Sequence, residues 1–341
     1  MKDVAFPFQF LICRIILKFK KSIQYIHKQK EWGMEIILAN PRGFCAGVIR
    51  AIKTVQLTLE KYGAPVYVLH EIVHNKHVIR ELQEQGTVFV EHLSDIPTGA
   101  VAIFSAHGVA RSVEEQAAEL GLRTIDATCP LVASVHRMVE KYHEEEYDVV
   151  IIGHHDHPEV EGSAGRIDGH VHLIATVDEV KTLQVNDSAR MAYVTQTTLS
   201  QDDIAGVLQA LEERFPSIKG PTSNICYATQ NRQNAVKELA GKTDLLFVVG
   251  SKNSSNSNRL KEVGTRQGID CYLIDDAGDI DPAWLEGMRR VGVTAGASAP
   301  ERLVDGVIHW LQDHGATTFH EMVGKKEKVR FEPAELDEQL S

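Results

Sequence analysis

The chain has 341 residues, 43% of them hydrophobic and 24% charged, with a formal net charge of −11. That length allows two or three compact domains with a large buried core, and the acidic balance excludes a general nucleic-acid binder, which would carry a basic face. No apolar run reaches the ~18–20 residues that span a bilayer.

Residues 1–33 stand apart from the rest, with six Lys and one Arg against one Asp and one Glu. Their apolar part, Ala5 to Leu17, is interrupted by Arg14 and has no small-residue cleavage site. A secretory signal is therefore a poor reading, and the single Ser makes a transit peptide equally poor. A basic amphipathic helix on a membrane surface is one alternative. The preferred reading is a dispensable extension, because Met34 stands directly before "EIILANPRG", which opens like the first strand of a domain. Met34 is then the natural start, and a chain beginning there is expected to fold.

From Met34 onward, short β-branched runs alternate with helical stretches, the pattern of α/β folds with parallel sheets. Strands are expected in "EIILAN", "PVYVLH", "AVAIFSAHG", "RTIDATC", "DVVIIGHH", "MAYVTQT", "LLFVVGS", "CYLIDD" and "VGVTAG". Helical periodicity follows several of them, as in "VIRAIKTVQLTLEKYG" and "QDDIAGVLQALEERF". In open parallel sheets ligands sit where strands end and helices begin, so the polar residues at those junctions matter most.

These residues fall into three sets: Cys45, His74 and His107; Cys129, His157 and Thr197; Cys226, Ser254 and Ser298. The first gap in each set is 29, 28 and 28 residues, and the second site lies 62, 68 and 72 residues past its cysteine. The spacing predicts three small α/β domains in a pseudo-threefold arrangement, over 34–128, 129–222 and 223–318, with a tail over 319–341. The three cysteines would meet near the centre.

Five cysteines without clustered spacing do not form a disulfide framework and fit reduced thiols in the cytoplasm. Cys45, Cys129 and Cys226 sit in turn-like settings, whereas Cys271 opens the apolar "CYLIDD", where a cysteine acts as a small buried hydrophobe. Cys13 belongs to the leader. Three converging thiolates leave one coordination place open. Structural zinc takes four closely spaced ligands, and a [4Fe–4S] cluster normally takes four cysteines. With three, one iron is free to act on a substrate, which suits a reductive or dehydrating step.

The motifs "ANPRGFCAGV", "EIVHNKHV", "FSAHGV", "DATCPLV", "GHHDHPEVEG", "VTQTTLS", "ICYATQNRQ", "VVGSKNSSNSNRL" and "VTAGASAP" resemble, in order, those of the 4-hydroxy-3-methylbut-2-enyl diphosphate reductases. The resemblance covers residues 34 to about 315; the leader has no counterpart and the tail matches only loosely. It implies that Cys45, Cys129 and Cys226 hold a [4Fe–4S] cluster with one open iron. It also implies that Glu159, rather than its neighbour Glu161, supplies the proton, with Thr197 and His157 completing the catalytic group and Gln196 beside them. His154 and His155 are less clearly placed, since one of them replaces a small residue common in the family.

The resemblance further implies that the diphosphate falls to His74, His107, Ser254, Ser255, Asn256 and Ser298, with His157 and Thr197 also touching the substrate. The Ser/Asn run sits at an expected helix N-terminus, where free N–H groups attract anions. Ser and Asn also cap helices there, so Ser251, Lys252, Asn253, Ser257 and Asn258 are read as turn and cap. No flavin or nicotinamide motif is present, so the implied reductant is an external carrier, ferredoxin or flavodoxin, acting on a monomer by default. Two other readings stay open on the residues alone: an open-iron hydro-lyase without net electron transfer, and a non-enzymatic iron–sulfur sensor.

Overall fold

The computed structural model describes residues 33–169, 171–221 and 224–336. The basic leader, apart from Gly33, lies outside them.

The described strands are β1 (Met34–Leu38), β2 (Val66–Leu69), β3 (Thr87–Val90), β4 (Val101–Phe104), β5 (Arg123–Asp126), β6 (Asp148–Ile152), β7 (Val171–Ile174), β8 (Met191–Thr195), β9 (Leu245–Val249), β10 (Asp270–Ile274), β11 (Arg290–Ala295) and β12 (Ala316–Glu321). They form three sheets, ordered β10-β9-β11-β1-β12, β3-β2-β4-β5 and β7-β6-β8. Every named strand pair is parallel. The α/β class is as expected, but the sheets have five, four and three strands, so the repetition is unequal.

Helices cover both faces of each sheet, which is why the strands read as continuous apolar runs. In the five-stranded sheet Ile36, Leu38, Phe247 and Val293 pack toward helix Glu301–Asp313. Ile37, Leu246 and Val248 pack on the other face, against helices Tyr227–Ala240 and Ser255–Arg266. The same alternation divides Val150 and Ile152 from Val149 and Ile151 in β6. Cys271, in β10, is buried in the core as its apolar setting suggested.

The expected first boundary differs from the observed pairing. β1 lies between β11 and β12, with Glu35–Leu38 in register with Arg290–Val293. The physical reason is burial: β1 is apolar on both faces and adds Met34, Ile36 and Leu38 to one core and Ile37 to the other. From β1 in the five-stranded sheet, residues 39–45 therefore cross to helix Ala46–Tyr62, which packs on the four-stranded sheet. The expected tail boundary differs too, because β12 runs across residue 318 and Ala334 and Leu336 pack against the core of the four-stranded sheet.

Phe247 is fully buried on β9, between β10 and β11. Phe247→Ala should lower the unfolding free energy by about 3–5 kcal/mol, read by urea denaturation. A loss below about 1 kcal/mol would contradict this placement of the core.

Candidate active site

Three helices begin at cysteines. Cys45 is the N-cap of helix Ala46–Tyr62, Cys129 of helix Pro130–Glu144 and Cys226 of helix Tyr227–Ala240. Pro130 at the first position of its helix fits the missing N–H there. Each thiol thus sits where unpaired N–H groups and the helix dipole favour negative charge. Thr229 N and Thr229 Oγ1 lie 3.3 and 3.0 Å from Cys226 Sγ. Gly47 leaves the space the sulfurs occupy: a Cβ there would meet Cys129 Sγ at 2.6 Å and Cys45 Sγ at 3.8 Å.

Burial works against these thiols. It pushes Cys129 up to about 12, although the Leu131 and Val132 N–H groups pull it down, and it pushes Cys226 up to about 11. Without a metal the two stay protonated; a metal replaces those protons. No group of three His, Cys, Asp or Glu among the described residues is placed to share a single ion. Three thiols, one at each of three helix N-termini, are the sulfur donors that a metal group in this chamber would take.

Cys45, Cys129 and Cys226 line a cavity of about 110 Å³ together with His74, His107, His157, Glu159, Thr197, Ser254, Ser255, Asn256 and Ser298. The structure brings all twelve residues singled out from the sequence to this one chamber. Glu159, in the short helix Pro158–Ala164, is 3% exposed. Its Oε1 accepts from Thr197 N at 2.5 Å and its Oε2 from Thr197 Oγ1 at 2.9 Å. Burial outweighs both bonds and raises its pKa to about 7. Glu161 is exposed.

His157 caps the same helix by accepting from Glu159 N on Nδ1, 3.1 Å away. The proton of the neutral ring is then on Nε2. Burial, then the nearby His74 and His154, lowers its pKa to about 4. His74 and His107 stack at 4.2 Å, with His157 edge-on at 5.9 and 6.0 Å. Burial, then its histidine neighbours, holds His107 well below the ordinary imidazole range. His74 Nδ1 lies 3.0 Å from Glu71 Oε2.

The Ser/Asn run divides its work in a way composition does not show. Ser254 Oγ caps helix Ser255–Arg266 by accepting from Ser257 N at 3.3 Å. Ser255 Oγ lies 3.0 Å from Thr198 Oγ1 and accepts from Gln196 Nε2 at 3.3 Å. Asn256 Oδ1 accepts from Ala297 N at 2.9 Å, which leaves its buried Nδ2 without a partner in the chamber wall. Ser298 Oγ donates to the His74 carbonyl at 3.0 Å. Ser257 is fully buried between strand ends: a Cβ at Gly250 or Gly296 would meet its Oγ at 2.2 or 2.0 Å. Asn253 Nδ2 donates to Glu71 at 2.8 Å, tying the loop after β9 to the loop after β2.

Sequence reasoning missed Glu71, Thr198 and Thr229. All three lie inside the motifs seen in the sequence, but only the fold shows their partners. His154 and His155 line a second, outer cavity of about 470 Å³ that shares His157 and Ser255 with the first.

The fold and chamber define an α/β enzyme that joins three thiols at helix N-termini to a neutral carboxyl and a wall of uncharged donors. Residues 36–312 match the LytB protein family, and the chain belongs to it. A 4-hydroxy-3-methylbut-2-enyl diphosphate reductase from Desulfotalea psychrophila is 63% identical over 303 residues, covering 89% of this chain and 97% of that protein. One from Azoarcus is 56% identical over 306 residues, covering 89% and 98%. The solved structure of the Plasmodium falciparum diphosphate reductase superposes with a TM-score of 0.84 at 38% identity, covering 87% of this chain and 94% of that one. A solved reductase described as the terminal enzyme of the non-mevalonate pathway gives 0.61 at 33% identity, covering 82% and 99%.

Glu159 keeps its proton in the fold up to about pH 7, whereas an ordinary carboxyl releases it near 4.5. Between those values the unfolded chain binds fewer protons, so this residue's contribution to stability falls as pH rises. Glu159→Gln lacks that loss. Its stability relative to wild type should therefore grow from about pH 5 to about pH 7 in urea denaturation, and a difference that does not change with pH would contradict the assigned burial.

Proposed function

We propose that the chain reductively removes the hydroxyl of (E)-4-hydroxy-3-methylbut-2-enyl diphosphate, giving isopentenyl and dimethylallyl diphosphate, the last step of the methylerythritol phosphate route. The observation that carries this reading is the buried Glu159 carboxyl, uncharged near neutral pH, in the same chamber as three cysteines that each begin a helix. Family membership and the names of the relatives support it.

Cys45, Cys129 and Cys226 would hold the [4Fe–4S] cluster. When bound, that cluster supplies single electrons and one open iron that acts as a Lewis acid. The reaction consumes two electrons and two protons: the allylic C–O bond breaks, the oxygen leaves as water, and the allylic carbon skeleton takes a proton at either of two carbons. Glu159 holds the proton for this chemistry, and Thr197, bonded to it through Oγ1, positions the substrate hydroxyl beside it. The chamber wall excludes bulk water from that carboxyl, which keeps it protonated near neutral pH.

The diphosphate would bind to the unpartnered Asn256 Nδ2, to His157 Nε2–H and to the Ser255, His74 and His107 side chains. Hydrogen bonds to a charged acceptor are the strong kind. Ser254 and Ser298 would contribute mainly through the turns they hold. Electrons would come from a small one-electron carrier, ferredoxin or flavodoxin, to a monomeric enzyme in the cytoplasm.

Purified without oxygen, the protein should be brown with about four irons per chain and should turn over the hydroxylated diphosphate only with an electron donor. Cys129→Ser should lose the colour. Glu159→Gln should keep the colour and lose turnover by at least about 100-fold. Turnover without a reductant would instead favour the hydro-lyase.

A further inference from the structure

Residues 322–336, which follow β12, have no regular secondary structure and lie beyond the residues that match the family. They are nonetheless held along their length. Gly324 passes so close to the 39–45 crossing that a Cβ would meet the Asn40 carbonyl oxygen at 1.8 Å. Farther on, Ala334 N donates to Thr54 Oγ1 at 3.0 Å and the Leu336 carbonyl accepts from Lys61 Nζ at 2.9 Å. Thr54 and Lys61 are on the helix that Cys45 caps. The segment is a strap from the five-stranded sheet to the four-stranded one.

Between those anchors Glu327 meets Arg232. Arg232 is 0% exposed, and a buried guanidinium is tolerated only with a paired charge and satisfied N–H groups. Glu327 supplies the carboxylate, with Nη1–Oε1 at 3.1 Å and both Nη1–Oε2 and Nη2–Oε2 at 3.3 Å. Asn231 Nδ2 adds a bond to Glu327 at 3.0 Å. The remaining Arg232 donors go to backbone carbonyls. Nε and Nη2 reach Gly43 at 2.9 and 2.7 Å, Nη2 reaches Phe44 at 3.2 Å, and Nη1 reaches Ala228 at 3.0 Å.

Gly43 and Phe44 lead directly into Cys45, and Ala228 lies two residues past Cys226. One planar guanidinium therefore joins the backbones that carry two of the three thiols, and its charge is balanced from the strap. Lys could not reproduce this set, since it lacks the fixed fork of N–H groups.

We propose that the C-terminal strap is a positioning element for the metal group: Glu327, acting through Arg232, fixes the spacing of Cys45 and Cys226. The inference rests on the reading that these cysteines hold an iron–sulfur cluster. Supporting groups of this kind typically change metal affinity by about 10–100-fold when removed.

The test uses the oxygen-free holoenzyme and compares wild type with Glu327→Ala, Glu327→Asp and, as an exposed control on the same strap, Lys325→Ala. Two quantities are read: the rate at which an iron chelator bleaches the visible absorbance, and the electron paramagnetic resonance spectrum of the reduced protein. Glu327→Ala should bleach about 10–100-fold faster and give an altered spectrum, with Glu327→Asp intermediate and Lys325→Ala like wild type. If Glu327→Ala does not fold, Glu327→Gln keeps the shape, removes the charge and is read the same way.

Wild-type bleaching and spectrum in the Glu327 variants would overturn the proposal. So would faster bleaching that only follows a lower melting temperature, with the spectrum unchanged. A wild-type chain that takes up no iron would refute the cluster reading itself, a separate result from a brown wild type with indifferent variants.

Discussion

The site depends on one electrostatic arrangement: three helices whose N-termini converge and whose capping residues are cysteines. A helix N-terminus carries roughly half a positive charge and several unpaired N–H groups. Burial pushes the Cys129 and Cys226 thiols up, so the dipoles alone do not ionise them. Dipoles and a bound metal together do, which couples the ligands to the group they would hold. The parallel sheets serve this arrangement. A parallel connection returns through a helix, so each strand end faces a helix start, and three sheets can point several such starts at one place.

The same logic accounts for the uncharged wall. No Lys or Arg lines the inner chamber among the described residues. Arg259, in the outer cavity, is already engaged by Asp203 and Glu262, each at 2.5 Å. An anion in the chamber would be held by neutral donors, by the cap of helix Ser255–Arg266 and by histidines of which His107 and His157 are kept neutral. A cationic wall would lower the pKa of Glu159. Neutral donors leave that carboxyl governed by burial, which keeps it protonated near neutral pH. An uncharged wall thus leaves room for an anion without lowering the Glu159 pKa.

Much of this was legible in the sequence because it lies at strand-to-helix junctions, where local pattern and function coincide. The three cysteines, His74, His107 and His157 fall at those junctions by pattern, Glu159 follows from the family resemblance, and the fold gathers them. What was not legible depends on pairing across the chain. β1 belongs with β11 and β12, a registration no local pattern encodes. Arg232 reads as an ordinary polar residue of "YATQNRQ", and only the returning strap reveals why it is buried. Ser257, expected in a turn, is in the core because two strand-end glycines make room for it. Glu71 acquires its role from His74 and from Asn253, which the fold brings over from the loop after β9.

The central claim is that the three helix-capping cysteines jointly hold one multi-iron group against the Glu159 chamber. Anomalous diffraction at the iron edge, from crystals grown without oxygen, tests it most directly. One strong multi-iron peak is expected, bounded by the sulfurs of Cys45, Cys129 and Cys226 and open toward Glu159. A single-ion peak, or iron elsewhere in the molecule, would contradict it.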